Sequence, residues 1–172
     1  MTTLLLVRHG ETDWNAERRW QGHADVPLND RGREQARVLA EQLTGESIDA
    51  IYSSDLSRAR DTADVVGVRL GVPVVVDADL REIDVGPIEG MTAEETGTLD
   101  GWHGEPKEAH AERILRAVQR IAERHPDDRV LVVTHGGSMR RVHEHLGLEG
   151  GPFENCVVWA CAHEDGVLRS ID

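Results

Sequence analysis

The sequence predicts an α/β protein, a three-layer α/β/α sandwich with a mostly parallel central sheet and a small irregular cap. Short apolar runs alternate with longer amphipathic stretches along most of the chain. The runs are continuously apolar, as expected of strands buried on both faces of a parallel sheet. No internal repeat, low-complexity tract or linker interrupts them, and 172 residues suit one domain, residues 1–172.

The elements follow in order. Leu4-Leu5-Leu6-Val7 reads as the first strand. Asn29 to Thr44 carries Ala36, Leu39, Ala40 and Leu43 at the spacing of an amphipathic helix, with Gly45 placed as its C-terminal glycine. Asp49 to Tyr52 is a second strand, and Ser54 or Asp55 is placed to cap the helix bearing Ala59, Ala63, Val66 and Leu70. That helix stops near Gly71-Val72-Pro73, and Val74-Val75-Val76 forms a third strand. Ala111, Ile114, Leu115, Val118, Ile121 and Ala122 give a further helical stripe, ending before Pro126. Val130 to Val133 is the fourth strand, followed by Gly136-Gly137 and a short helix to Leu146. Strands near Val157–Ala160 and Val167–Ile171 flank Asp165-Gly166 as a hairpin. Residues 86–107, rich in Gly, Thr, Glu and His, form the cap segment.

Composition narrows the function. The net charge of -13 opposes binding to polyphosphate backbones, so nucleic acid is not an expected partner. No apolar stretch has the length of a membrane span and no secretory signal pattern is present, so no membrane partner is expected and the location read from the sequence is cytoplasmic. Lys107 is the single lysine among 19 basic residues, which leaves arginine as the residue for any phosphate clamp. Cys156 and Cys161 read as buried packing residues.

Ligands of such sheets bind beyond the carboxyl ends of the strands. The four strand ends carry Arg8-His9-Gly10-Glu11-Thr12, Ser53 to Arg58, Leu80-Arg81-Glu82 and Thr134-His135-Gly136-Gly137. Two arginines, two histidines and a carboxylate form a coherent set for phosphoryl transfer. Arginine grips two phosphate oxygens with a fork that keeps its charge. A neutral imidazole is a competent nucleophile, and a protonated second one neutralises the equatorial oxygens. A carboxylic acid protonates the departing oxygen and then activates water. No metal and no cofactor is required of such a set.

The same residues resemble the histidine phosphatase superfamily, which includes the cofactor-dependent phosphoglycerate mutases. Arg8 to Thr12 with Asn15 carries the resemblance. It continues in Trp20-Gln21-Gly22, Asp25 to Leu28, Gly32, Gln35-Ala36, Ser53 to Ala59 with Thr62-Ala63, Leu80 to Asp84 with Gly86 and Glu89-Gly90, and Val133 to Gly137. The resemblance implies that His9 is the nucleophile, Glu82 the general acid and base, and Arg8, Arg58 and His135 the groups that bind phosphate and stabilise its charge. Asn15 and the backbone around Gln21, Gly22 and Gly136 then contact phosphate or substrate. It implies a phosphatase of a small phosphorylated metabolite. The chain departs from the family pattern at Ile88, where tryptophan is frequent before the Glu-Gly pair, and at Pro106, where serine is frequent after Gly-Glu.

Other readings are weaker. Val74-Val75-Val76-Asp77-Ala78-Asp79 resembles the nucleophile motif of magnesium-dependent haloacid-dehalogenase-like phosphatases, but Arg81 stands where Thr or Val is expected. Arg60, Arg81, Arg140 and Arg141 read as solvated charges, and His143 and His145, two apart on a helix, as surface or packing residues. Mutase-type transfer needs extra cations and closing segments. The short stretch between Glu82 and His135 argues for hydrolysis over it. A protein phosphatase and an inactive regulatory protein are the remaining alternatives; all five central groups are present, which counts against the inactive one. The identity of the substrate, the oligomeric state and the roles of Trp102 and His103 are not readable from the sequence.

Overall fold

A computed structural model describes residues 1–97 and 101–171; residues 98–100, inside the cap segment, and residue 172 lie outside the described residues. Six strands form one sheet in the order β3-β2-β4-β1-β5-β6. They are β1 (Thr2–Arg8), β2 (Ala50–Ser53), β3 (Val74–Val76), β4 (Arg129–Thr134), β5 (Val158–Glu164) and β6 (Val167–Ser170). The first four run parallel, β5 runs antiparallel to β1, and β6 antiparallel to β5.

The sheet is covered on both faces because alternate residues of its apolar strands point opposite ways. Leu4, Leu6, Val130 and Val132 pack with Ile114, Val118 and Ile121 of α5 (Lys107–Arg124) and with Met139 and Val142 of α6 (Gly136–His145). Leu5, Val7, Leu131 and Val133 pack on the other face with Leu39 and Ala40 of α2 (Asp30–Gln42) and with Ala59, Ala63 and Val66 of α3 (Ser57–Leu70). Two four-residue helices, α1 (Asp13–Ala16) and α4 (Ala93–Thr96), lie near the carboxyl ends of the strands. No helix of the described residues is long and apolar enough to cross a membrane.

Several sequence expectations shift in detail. Gly45 is not the C-terminal glycine of α2. That helix ends at Gln42 in ordinary right-handed geometry, and its last carbonyls are taken by Leu43 N–H and the Thr44 hydroxyl, so no left-handed residue is needed. Neither Ser54 nor Asp55 caps α3. The Ser57 N–H donates instead to Asp25 Oδ1 at 2.7 Å, a cap delivered by a distant loop. β5 runs on through His163 and Glu164, beyond the expected Ala160, because its ladders with β1 and β6 hold polar positions that its own pattern did not mark. The turn joining β5 to β6 has positive φ at both Asp165 and Gly166, the geometry that suits a two-residue hairpin. Within residues 86–107, Gly86–Ile88 forms a single 3₁₀ turn and α4 a short helix.

Candidate active site

The parallel ladder of β1 and β4 brings the first and fourth strand ends together. His9 N–H donates to Thr134 O at 3.0 Å, so His9 and His135 leave adjacent strands side by side. Arg58 arrives from the first turn of α3. Glu82 arrives on the segment after β3, which is tied to the end of β4 by the Thr134 hydroxyl donating to Leu80 O. These groups surround one cavity of about 310 Å³, lined by Arg8, His9, Asn15, Gln21, Gly22, Arg58, Glu82 and Gly136 among others. His135 is fully buried against His9.

His9 is 2% exposed, and its Nδ1 lies 2.7 Å from the carbonyl oxygen of Gly10. A carbonyl only accepts, so Nδ1 carries the proton and Nε2 keeps its lone pair. Burial, then the charges of Arg58 and Arg8, hold the imidazole well below its ordinary pKa. The backbone around it is fixed by Asn155 Nδ2 donating to His9 O at 2.7 Å and by Gly10 N–H donating to the Thr62 hydroxyl at 3.0 Å.

Arg58 is fully buried and has no carboxylate partner among the described residues. Its Nη1 and Nη2 donate to the carbonyls of Ala24 and Gly22, and its Nε has no partner. Burial lowers its pKa to about 10, so it stays charged at neutral pH. Arg8 donates through Nη1 to Phe153 O at 2.8 Å, and its buried Nε is likewise unpartnered. Arg58 is buried and Arg8 half-buried, and although the charge of Glu82 acts on both, neither makes an ion pair among the described residues, so an anion seated between them gains two charge-assisted partners. Gly22 adopts φ +52°, and a side chain there would press on Val85 and Glu89, so glycine permits the turn whose carbonyl Arg58 holds.

His135 precedes α6, with its Nε2 2.9 Å from Ser54 Oγ and its buried Nδ1 unpartnered. Burial, then Arg58 and His9, push its pKa well down. Where the sequence suggests a protonated second histidine, His135 is instead neutral at neutral pH, because a proton there would face His9 and both arginines.

The Glu82 carboxylate accepts from the N–H groups of Ile83 and Gly137, both at 2.9 Å. A side chain on Gly137 would collide with that carboxylate. Arg113 of α5 donates to the carbonyls of Asp79, Arg81 and Glu82, and buried His110 lies 3.9 Å from Glu82 Oε1. Asn15 Oδ1 accepts from Thr12 N–H in the capping box of α1, and Gln21 Oε1 accepts the Thr12 hydroxyl. The terminal NH₂ groups of both amides are left as donors.

Outside the site, Arg120 holds both Asp77 and Asp79, which makes that pair an ion-pair anchor on α5. Arg81 pairs with Asp55, and Arg141 with Glu144. His143 is sandwiched between Phe153 and Trp159. Trp102 Nε1 donates to Glu105 O. Both cysteines are buried and free, their thiols pushed up to about 12 by burial. Sequence reasoning missed Asn155, His110, Arg113, Phe153 and the position of Arg140, which lines the cavity. The Gly136-to-Arg140 spacing of one helical turn is the signal that places Arg140.

Residues 4–161 match the histidine phosphatase superfamily (branch 1). The chain is 40% identical over 159 residues to phosphoglycerate mutase-like protein 4 of Arabidopsis thaliana, covering 82% of this chain and 69% of that protein. It is 37% identical over 161 residues to a metal-independent phosphoserine phosphatase of the same plant, covering 83% and 68%. The structure of a mycobacterial glucosyl-3-phosphoglycerate phosphatase complexed with VO3 superposes with a TM-score of 0.86 at 31% identity, over 97% of this chain and 95% of that one. The chain belongs to the histidine phosphatase superfamily, branch 1, and is an enzyme of the histidine phosphatase type.

Proposed function

We propose that this enzyme hydrolyses a small phosphorylated metabolite through a phosphohistidine on His9, with neither metal nor cofactor in the chemical step. The observation that carries the reading is the Nε2 lone pair of buried His9 beside buried Arg58 and half-buried Arg8, neither of which makes an ion pair among the described residues. The guanidiniums of Arg8 and Arg58 and the Nδ1–H of His135 take the non-bridging phosphate oxygens. The Gly136 N–H at the start of α6 and the side-chain amides of Asn15 and Gln21 complete the seat, and Gly22 keeps the wall of that seat open. His9 Nε2 attacks phosphorus and the ester P–O bond breaks. The leaving oxygen takes the proton of the Glu82 carboxyl group. Water then attacks the phosphohistidine, gives its proton to Glu82, and the N–P bond breaks.

Hydrolysis rather than mutase-type transfer fits the open mouth, where Trp20 is 43% exposed and water has access. The phosphatase names of two of the relatives support the same direction. The test is to mix enzyme with p-nitrophenyl phosphate, quench in alkali, and map phosphorylation by peptide mass spectrometry. Phosphate on the His9 peptide, absent from His9→Ala, is the expected result; turnover by His9→Ala at the parent rate would overturn the reading.

A further inference from the structure

Glu89 has no part in the chemistry above, yet its half-buried carboxylate is committed to the loop that holds Arg58. One oxygen, Oε1, accepts from the N–H groups of His23 at 2.8 Å and of Ala24 at 2.9 Å. The carbonyls of the same stretch serve Arg58: Gly22 O accepts from Nη2 at 2.9 Å and Ala24 O from Nη1 at 2.7 Å. The Gly22–His23 peptide thus carries Arg58 on its oxygen and Glu89 on its nitrogen. N–H and C=O of a trans peptide point in opposite directions, so the two side chains stand on opposite sides of it. Gly22 makes room for this approach, since a Cβ there would lie 3.0 Å from Glu89 Oε1.

A direct ion pair would serve phosphate binding less well. A carboxylate on Arg58 itself would compete with phosphate for the guanidinium fork. Set one peptide away, Glu89 fixes and polarises the acceptor carbonyl while Arg58 Nε is left without a protein partner. The other charged groups around Arg58 are engaged differently. Asp25 caps α3 through the Ser57 N–H, Glu82 accepts from Ile83 and Gly137, and Arg8 is a like charge. The loop has one further attachment, His23 Nε2 at 2.9 Å from Glu82 O, which steadies the backbone of the acid segment.

We infer that Glu89 is a positioning residue for Arg58: by gathering the N–H groups of His23 and Ala24, it aims the carbonyls that hold the guanidinium at the phosphate seat. The inference rests on the phosphatase reading in taking Arg58 as a phosphate ligand.

The experiment measures binding of inorganic phosphate by calorimetry in the parent, Glu89→Ala and Glu89→Gln, then repeats each with Arg58→Lys or Arg8→Lys added. Glu89→Ala is expected to weaken phosphate on the order of tenfold in the parent and beside Arg8→Lys. Beside Arg58→Lys the loss should be about twofold or less, because an ammonium lacks the fork that holds both carbonyls. Glu89→Gln keeps an acceptor oxygen and should return affinity to within about threefold of the parent. With p-nitrophenyl phosphate, Glu89→Ala should raise KM more than it lowers kcat. No loss in Glu89→Ala, or an equal loss in all three backgrounds, overturns the inference. A loss confined to kcat overturns it too, since that would place the effect on Glu82 through His23. Melting curves without phosphate establish folding, and Glu89→Met, which fills the volume without an oxygen, replaces Glu89→Ala should the latter not fold. Phosphate trapped on the His9 peptide reads the phosphatase assignment separately, because the binding cycle needs no turnover.

Discussion

The imidazole rings of His9 and His135 meet edge to face, their centroids 5.2 Å apart and their planes at 62°. Each is buried close to Arg58 and Arg8, so a proton on either ring would face another ring and two guanidiniums. Both are neutral at neutral pH, and Nε2 of His9 keeps its lone pair.

This pairing makes folding stability fall in acid. Both folded pKa values lie well below the ordinary 6.5, so the unfolded chain binds protons that the folded one refuses. Stability is complete above pH 6.5 and is lost as pH drops below it, by up to about 1.4 kcal/mol per pH unit for each histidine. Urea midpoints at pH 7.5 and 5.5 should differ, and His135→Asn should shrink the difference. An undiminished difference in that variant would contradict the assignment.

Inorganic phosphate should stabilise the protein by supplying the anion that Arg8 and Arg58 lack. At a hundredfold excess over its Kd the gain is about 2.7 kcal/mol, read as a shift in denaturation midpoint. Arg58→Met should abolish that shift. The same change leaves the carbonyls of Gly22 and Ala24 without donors, at about 1–3 kcal/mol each, while removing an uncompensated buried charge. The phosphate-dependent shift, rather than absolute stability, is therefore the measurement that decides.

Gly137→Ala should displace the Glu82 carboxylate without touching His9. If Glu82 protonates the leaving oxygen, the loss depends on the leaving group. Hydrolysis of an alkyl phosphate should fall by about 100-fold or more, and that of p-nitrophenyl phosphate, whose anion leaves unaided, by much less. Glu82→Gln should show the same asymmetry. Equal losses on both substrates would remove Glu82 from proton transfer.

Asp25→Ala should cost about 1 kcal/mol, the usual worth of a lost N-terminal cap. It also frees the loop whose Gly22 and Ala24 carbonyls hold Arg58, so KM should rise more than kcat falls. Thermal melts and steady-state kinetics on one preparation measure both effects.

Much of this arrangement was legible in the sequence, for a physical reason. Strands buried on both faces must be continuously apolar, so the first ionisable residue at the end of each, as at Arg8 and His135, stands out. The amphipathic periods of α2, α3 and α5 were equally readable because each packs one stripe on the sheet. What stayed hidden depends on long-range placement. Asp25 caps a helix that begins 32 residues later, Asn155 reaches back 146 residues to His9 O, and Arg140 looks like any charge on a helix. Gly45 misled because glycine often ends helices, whereas here side chains and ordinary turns satisfy the last carbonyls.

The central position of β1, between β4 and β5, has a consequence for hydrogen exchange. The amides of Leu4 to Val7 and Val130 to Val133 are buried at the middle of the sheet and should exchange only through global unfolding. His9 and His135 extend from those strands, so both imidazoles belong to the slowest-exchanging unit. Glu82 lies after the short edge strand β3, whose Val75 and Val76 are half-exposed, and its amide neighbours should exchange through smaller openings. The Glu82 carboxylate should thus move on a faster clock than the His9 imidazole.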